Sequence, residues 1–137
     1  MRFLLVDDDP QIGLVIRRVA ESCGFDVRTT SRADAFKATY GIFQPDVITL
    51  DLAIPDGDGV GLLRFLADEG CEAPILIISG LHDRVIDAAK RLGEARGLNM
   101  AGFITKPMRL ADLRTLFSGL SRELGNGQDD ACAVGHG

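Results

Sequence analysis

Arg2-Phe3-Leu4-Leu5-Val6-Asp7-Asp8-Asp9-Pro10 opens with a short apolar run that ends on three carboxylates and a proline. Apolar residues in unbroken succession, too few to make a helix face, read as a strand buried on both sides. Asp9 before Pro10 reads as a helix start. An aspartate caps free backbone N–H groups there, and proline suits the first helical position. A buried strand, an acidic turn and a helix therefore follow one another directly.

Four more apolar runs follow: Asp26–Thr29, Asp46–Leu50, Pro74–Ile78 and Ala101–Thr105. Between them the apolar residues change to helical spacing. Ile12, Val15, Ile16, Val19, Ala20 and Cys23 share one face, as do Leu62, Leu63, Leu66 and Ala67. Val85, Ala88, Ala89 and Leu92 make a third stripe, and Leu110, Leu113, Phe117, Leu120 and Leu124 a fourth. A shorter helix over Ala33–Tyr40 rests on Ala33, Phe36 and Tyr40. Strands alternating with helices predict an α/β protein whose parallel sheet is covered on both faces. Right-handed crossovers restrict the topology. The expected arrangement is flavodoxin-like and doubly wound, five strands in the order 2-1-3-4-5.

The chain has 137 residues, 46% of them hydrophobic and 26% charged, which fits one globular domain. With 15 basic and 20 acidic residues its formal net charge is −5. That argues against a direct grip on nucleic acid, which calls for a basic surface. No apolar run approaches the roughly 20 residues of a membrane helix, and Phe3–Val6 is too short for a signal-peptide core. Cys23, Cys71 and Cys132 are widely spaced and form neither a disulfide framework nor a zinc motif. A reducing, cytoplasmic setting is expected. After about Glu123 the composition turns to glycine, asparagine and aspartate. Residues 1–123 are accordingly expected to form the domain, and 124–137 a flexible tail or truncated linker.

In an open parallel sheet, ligands bind beyond the carboxyl ends of the strands. The first run is followed by Asp7, Asp8 and Asp9, the third by Asp51, the fourth by Ser79, and the fifth by Lys106 and Pro107. These positions are far apart in sequence and meet only through the fold. Crowded carboxylates repel one another and so recruit a cation. An all-oxygen donor set suits Mg²⁺, with Mn²⁺ as substitute, rather than zinc. A carboxylate can attack phosphorus to give an acyl phosphate, while a metal, an ammonium and a hydroxyl hold the transferring oxygens.

Phe3-Leu4-Leu5-Val6-Asp7-Asp8-Asp9-Pro10, Asp51-Leu52-Ala53-Ile54-Pro55-Asp56-Gly57-Asp58-Gly59, Ile77-Ile78-Ser79 and Thr105-Lys106-Pro107 together resemble, in order, the four signatures of bacterial two-component response regulator receivers. The resemblance covers residues 2 to roughly 122. It implies that Asp51 is the phosphoacceptor and that Asp8, Asp51 and the backbone carbonyl of Ala53 ligate Mg²⁺, with Asp7 acting through a metal-bound water. Ser79 would bind a phosphoryl oxygen and shift on activation, Lys106 would pair with the phosphate, and the Lys106–Pro107 bond would be cis. Phe103 stands at the switch position of the fifth strand, where many relatives carry tyrosine. The implied donor is a phosphohistidine on a sensor histidine kinase or phosphotransfer protein, and the implied recipient a downstream output protein or domain. A homodimer through the face of helix 4, strand 5 and helix 5 is compatible with this reading. Enzymatic activity is expected only toward its own aspartyl phosphate.

The remaining candidates have simpler explanations. Asp9 reads as a cap, and Asp56 and Asp58 as turn residues before a helix. Neither His82 nor His136 has a partner that suggests a metal or a triad. Leu14 lies opposite the apolar stripe of the first helix and, with Arg17 and Arg18, makes a candidate docking patch for the kinase. Ala53 and Leu81, each two residues beyond a site residue, offer no polar side chain to steer an attacking water, so slow self-dephosphorylation is expected. The segment from Arg84 to Met100 is long and predicts an extended fourth helix closed at Gly97.

Two other classes compete. In a haloacid-dehalogenase-type phosphohydrolase, Asp7 would be the nucleophile and Asp9 the acid/base. The late acidic pair that such an enzyme needs is represented only by Asp129-Asp130 in the glycine-rich tail, and Asp51 is left without a duty. A binding module independent of phosphorylation would leave Asp8, Asp51, Ser79 and Lys106 without a reason to occur together.

Overall fold

A computed structural model describes residues 1–54, 59–80 and 83–128. The elements alternate: β1 Arg2–Val6, α1 Pro10–Ser22, β2 Asp26–Thr30, α2 Ala33–Phe43, β3 Val47–Leu50, α3 Gly59–Asp68, β4 Ile75–Ser79, α4 Asp83–Ala95, β5 Met100–Thr105 and α5 Leu110–Gln128. The five strands make one parallel sheet in the order β2-β1-β3-β4-β5, as the alternation predicts.

Successive side chains of a strand point to opposite faces, so a strand apolar throughout feeds two cores. Phe3 and Leu5 join Ile16, Val19, Leu113 and Phe117 beneath α1 and α5. Leu4 and Val6 join Phe36, Leu62, Leu63 and Leu66 on the side of α2 and α3. Phe3 anchors its layer edge-on against Phe25 at 5.3 Å and Phe117 at 4.9 Å. Asp9 caps α1, its Oδ1 accepting from the backbone N–H of Gln11 at 2.9 Å and of Ile12 at 3.4 Å.

The structure corrects several expectations. On α4 the packed stripe is Ile86, Ala89 and Leu92, while Val85 and Ala88 are exposed. Both stripes have helical spacing, and the larger Ile86 takes the core in place of Val85. Leu110, expected on the packed face of α5, is 54% exposed because it opens the helix beyond the end of β5. Ser79 is the last residue of β4 rather than the first beyond it. The second helix runs past Tyr40 to Phe43, which is buried. Helix α5 continues five residues past Glu123, to Gln128. Gly97, with φ of 80°, follows α4 in the left-handed conformation expected there. Among the described residues no helix is long and apolar enough to cross a membrane.

Candidate functional site

Four parallel strands, β1, β3, β4 and β5, end together and set the site. The register pairs Val6 of β1 with Leu50 of β3, so the residues that follow, Asp7 and Asp51, emerge side by side. The Asp51 N–H donates to the Val6 carbonyl at 3.0 Å, extending the ladder one step into the loop. Asp7 and Asp51 are buried, at 4% and 2% exposure, and Asp8 is exposed beside them. One oxygen from each of Asp7, Asp8 and Asp51 lies within 4.8 Å of the others. Ser79 is fully buried at the end of β4, opposite Thr105 of β5. The Lys106 N–H donates to the Ser79 carbonyl at 3.0 Å, and the Lys106–Pro107 bond is cis.

The lysine reaches back across the strand ends. Its Nζ lies 3.1 Å from Asp51 Oδ2, as a hydrogen bond, and 3.0 Å from Asp7 Oδ2. The second approach is an ion pair without hydrogen-bond alignment, so Asp7 Oδ2 is buried with no aligned donor among the described residues. The other oxygens are engaged: Asp7 Oδ1 accepts from the Asp9 N–H at 2.9 Å, and Asp51 Oδ1 from the Ala53 N–H at 3.0 Å. Burial raises the Asp7 carboxyl above its ordinary 3.8, and the charge of Asp51 adds to that, against the Asp9 N–H and the Lys106 ammonium. For Lys106 burial works downward, but Asp7 and Asp51 outweigh it and raise the ammonium above 10.5.

Among the described residues one ammonium is thus shared by two buried carboxylates, with the exposed Asp8 beside them. The surplus negative charge and an Asp7 oxygen that has the ion pair to Lys106 but no aligned donor fit a hard divalent cation held by oxygen donors. The same geometry could hold the oxygens of a transferring phosphoryl group around Asp51.

Asp7, Asp8, Asp51, Ser79 and Lys106 are therefore gathered at the strand ends. Phe103 is half-buried on β5, two residues before Thr105 at the strand end, with Lys90 Nζ of α4 at 5.8 Å from its ring centre. Ala53 is exposed beside Asp51. Asp9 is occupied as a cap. Asp56, Asp58, Leu81, His82, Asp129, Asp130 and His136 lie outside the described residues. The sequence reading gave Gly59 no role beyond its place in the second signature; its N–H donates to the Leu52 carbonyl at 3.1 Å. Its signal was a glycine at a helix start eight residues after Asp51, read there as turn chemistry.

Residues 3–118 match the response regulator receiver domain family. The transcriptional regulatory protein TrcR of Mycobacterium tuberculosis is 30% identical over 138 aligned residues, covering 98% of this chain and 52% of TrcR. The cell cycle response regulator CtrA of Brucella ovis is 33% identical over 113 residues, covering 82% of this chain and 47% of CtrA. The chain thus spans about half the length of these relatives. Among solved structures, a response regulator from Colwellia psychrerythraea superposes with a TM-score of 0.77 at 30% identity, covering 89% of this chain and 97% of that one. Response regulators of this kind act with sensor kinases and output domains, and receivers bind Mg²⁺ through an acidic pocket. The acid-lined strand ends and the family match converge: this chain belongs to the response regulator receiver domains of two-component signal transduction.

Proposed function

We propose that this receiver accepts a phosphoryl group on Asp51 from a phosphohistidine donor, with Mg²⁺ held by Asp8, Asp51 and the Ala53 carbonyl and with Asp7 supporting it through a bound water. The observation that carries this reading is Lys106 Nζ, shared between Asp51 Oδ2 and Asp7 Oδ2 at 3.1 and 3.0 Å. When bound, the metal neutralises charge on the carboxylates and on the transferring oxygens.

An Asp51 oxygen attacks phosphorus as the phosphorus–nitrogen bond breaks. The electron pair leaves with the imidazole nitrogen of the donor, and Asp51 becomes an acyl phosphate. In the resting arrangement Asp51 Oδ1 is held by the Ala53 N–H and Oδ2 by Lys106. Lys106 is the partner free to move, because its side chain is 19% exposed and already divided between two carboxylates. Passing from carboxylate to phosphoryl oxygen, it keeps a counter-charge throughout. The Ser79 hydroxyl receives another phosphoryl oxygen, and Phe103 follows Ser79 between exposed and buried positions. Ala53 gives no polar side chain to direct a water, so the phosphoform decays slowly. Beyond its own aspartyl phosphate the domain has no substrate in this reading.

Residues 1–123 form the receiver unit, with 124–137 a tail or linker whose first part prolongs α5. Leu14, 46% exposed on α1 beside Arg18, supports a kinase or phosphotransfer contact there, and the face of α4, β5 and α5 is assigned to output or dimerisation. A cytoplasmic setting follows from that partner class.

Intact mass after incubation with acetyl phosphate and Mg²⁺ tests the proposal. A labile adduct of one phosphoryl group, dependent on Mg²⁺ and absent in Asp51→Asn, is expected. No adduct on the wild type, with phosphate release that depends on Asp7, would instead favour a phosphohydrolase.

A further inference from the structure

The first residue of α3 lies against the main chain of the site. The Gly59 N–H donates to the Leu52 carbonyl at 3.1 Å. A Cβ on Gly59 would stand 2.5 Å from Leu52 Cα, 2.8 Å from the Asp51 carbonyl oxygen and 3.0 Å from Leu52 Cδ2. Two of those neighbours are backbone, so no change of rotamer can make room. Only glycine lets the helix come this close.

The contact completes a set of restraints on three consecutive residues. The Asp51 N–H is held by the Val6 carbonyl of β1 at 3.0 Å, and the Ala53 N–H by Asp51 Oδ1 at 3.0 Å. Gly59 closes the remaining side, touching the Asp51 carbonyl and bonding that of Leu52. Leu52 and Gly59 are both buried. The segment Asp51–Ala53 is thereby fixed from the sheet on one side and from α3 on the other.

We infer that Gly59 is a positioning residue, whose close approach holds the Asp51–Ala53 backbone so that the Asp51 carboxylate and the Ala53 carbonyl stand ready for a divalent cation and an incoming phosphoryl group. The inference rests on the proposed role of Asp51 and Ala53 and names the element that sets their place. Sub-ångström placement matters there because Mg²⁺ demands near-ideal octahedral geometry. A side chain at 59 must push either α3 or the Asp51–Leu52 peptide away. Misplaced donors cost metal affinity and transfer rate even where the fold survives.

The test compares wild type, Gly59→Ala and Gly41→Ala in the full chain. Gly41 is a helical glycine of α2, and a Cβ placed on it would meet nothing within 4 Å. It therefore reports only the generic effect of adding a methyl group. Mn²⁺ affinity is read by electron paramagnetic resonance, the labelling rate by acetyl phosphate with Mg²⁺, and folding by urea titration. Gly59→Ala that is folded at zero urea is expected to bind Mn²⁺ at least about 10-fold more weakly and to label at least about 10-fold more slowly. Gly41→Ala should match wild type in both. Folded Gly59→Ala with wild-type affinity and rate overturns the inference and leaves the glycine a packing role. Wild type that neither binds Mn²⁺ nor labels would overturn the proposed function itself, a distinct result.

Should Gly59→Ala not fold, hydrogen exchange in the wild type decides. Saturating Mg²⁺ is expected to protect the Gly59 amide more than the Leu66 amide of the same helix, because the cation tightens the peptide that Gly59 bonds. Equal changes at the two amides would overturn the inference.

Discussion

Lys106 Nζ lies 3.0 Å from Asp7 Oδ2 in contact without hydrogen-bond alignment, and that carboxyl is raised above its ordinary value. The ammonium therefore does not fully compensate Asp7, since it also serves Asp51 at 3.1 Å. A buried carboxylate short of counter-charge is a cost to the metal-free fold.

Asp7→Asn should consequently stabilise the metal-free protein, by roughly 1 kcal/mol at neutral pH. Because the folded value of Asp7 is raised, its contribution to stability is present below 3.8 and is lost as pH rises through the higher folded value. The advantage of Asp7→Asn should thus vanish in acid and grow across that window. Added Mg²⁺ should reverse the order, since wild type gains about 2.7 kcal/mol when the cation is at 100 times its dissociation constant. Urea titrations against pH, with EDTA or Mg²⁺, read both effects. A metal-free Asp7→Asn less stable than wild type at neutral pH would show that Lys106 does compensate the carboxylate.

Lys106 supplies the complementary prediction. Its folded value is raised, so the stability it contributes is complete below 10.5 and is lost as pH rises through the higher folded value. Lys106→Met should remove that alkaline dependence and lower metal-free stability at neutral pH by about 3 kcal/mol, because Asp7 and Asp51 are left buried without their counter-charge. Acetyl phosphate labelling should fall at least about 10-fold with the loss of a donor to the transferring oxygens. Urea midpoints at two pH values, neutral and alkaline, together with the mass adduct, test this.

How much of this was readable in advance follows from how local each signal is. Unbroken apolar runs such as Phe3–Val6 mark strands buried on two faces, and the residue that follows each must lie at the site rim; Asp7, Asp51 and Lys106 were legible for that reason. Helix facing was less so. Val85 with Ala88 and Ile86 with Ala89 fit the same period, and only packing against the sheet chooses between them. The sharing of Lys106 between two carboxylates, the lone hydroxyl of Thr49 and the approach of Gly59 to Leu52 are distances between separate elements. No spacing in the chain encodes them.

Thr49 gives a prediction independent of the chemistry. It sits on β3, paired with Leu5 and Leu76, at 2% exposure, and its Oγ1 is buried without a hydrogen-bond partner among the described residues. Burying an unpaired hydroxyl costs roughly 1–3 kcal/mol, and valine has nearly the same shape without that group. Thr49→Val should raise stability by about 1 kcal/mol and leave labelling on Asp51 unchanged. An unchanged or lower urea midpoint would mean that an internal water satisfies the hydroxyl.

Phe103 of β5 lies beneath a cation of α4. Lys90 Nζ lies 5.8 Å from the centre of its ring, within the range of a cation–π contact, and the ring is half-buried against the core that α4 shares. Such a contact at an exposed lysine contributes about 0.5–1 kcal/mol. Lys90→Met keeps the aliphatic stem and removes the charge, whereas Lys90→Arg keeps a cation for the ring. The first should lower the urea midpoint by an amount matching that energy, and the second should restore most of it. In a Phe103→Leu background both substitutions should become neutral, because the ring they act on is gone. A Lys90→Met penalty that persists in that background would assign the lysine's contribution to α4 itself rather than to the aromatic ring of β5.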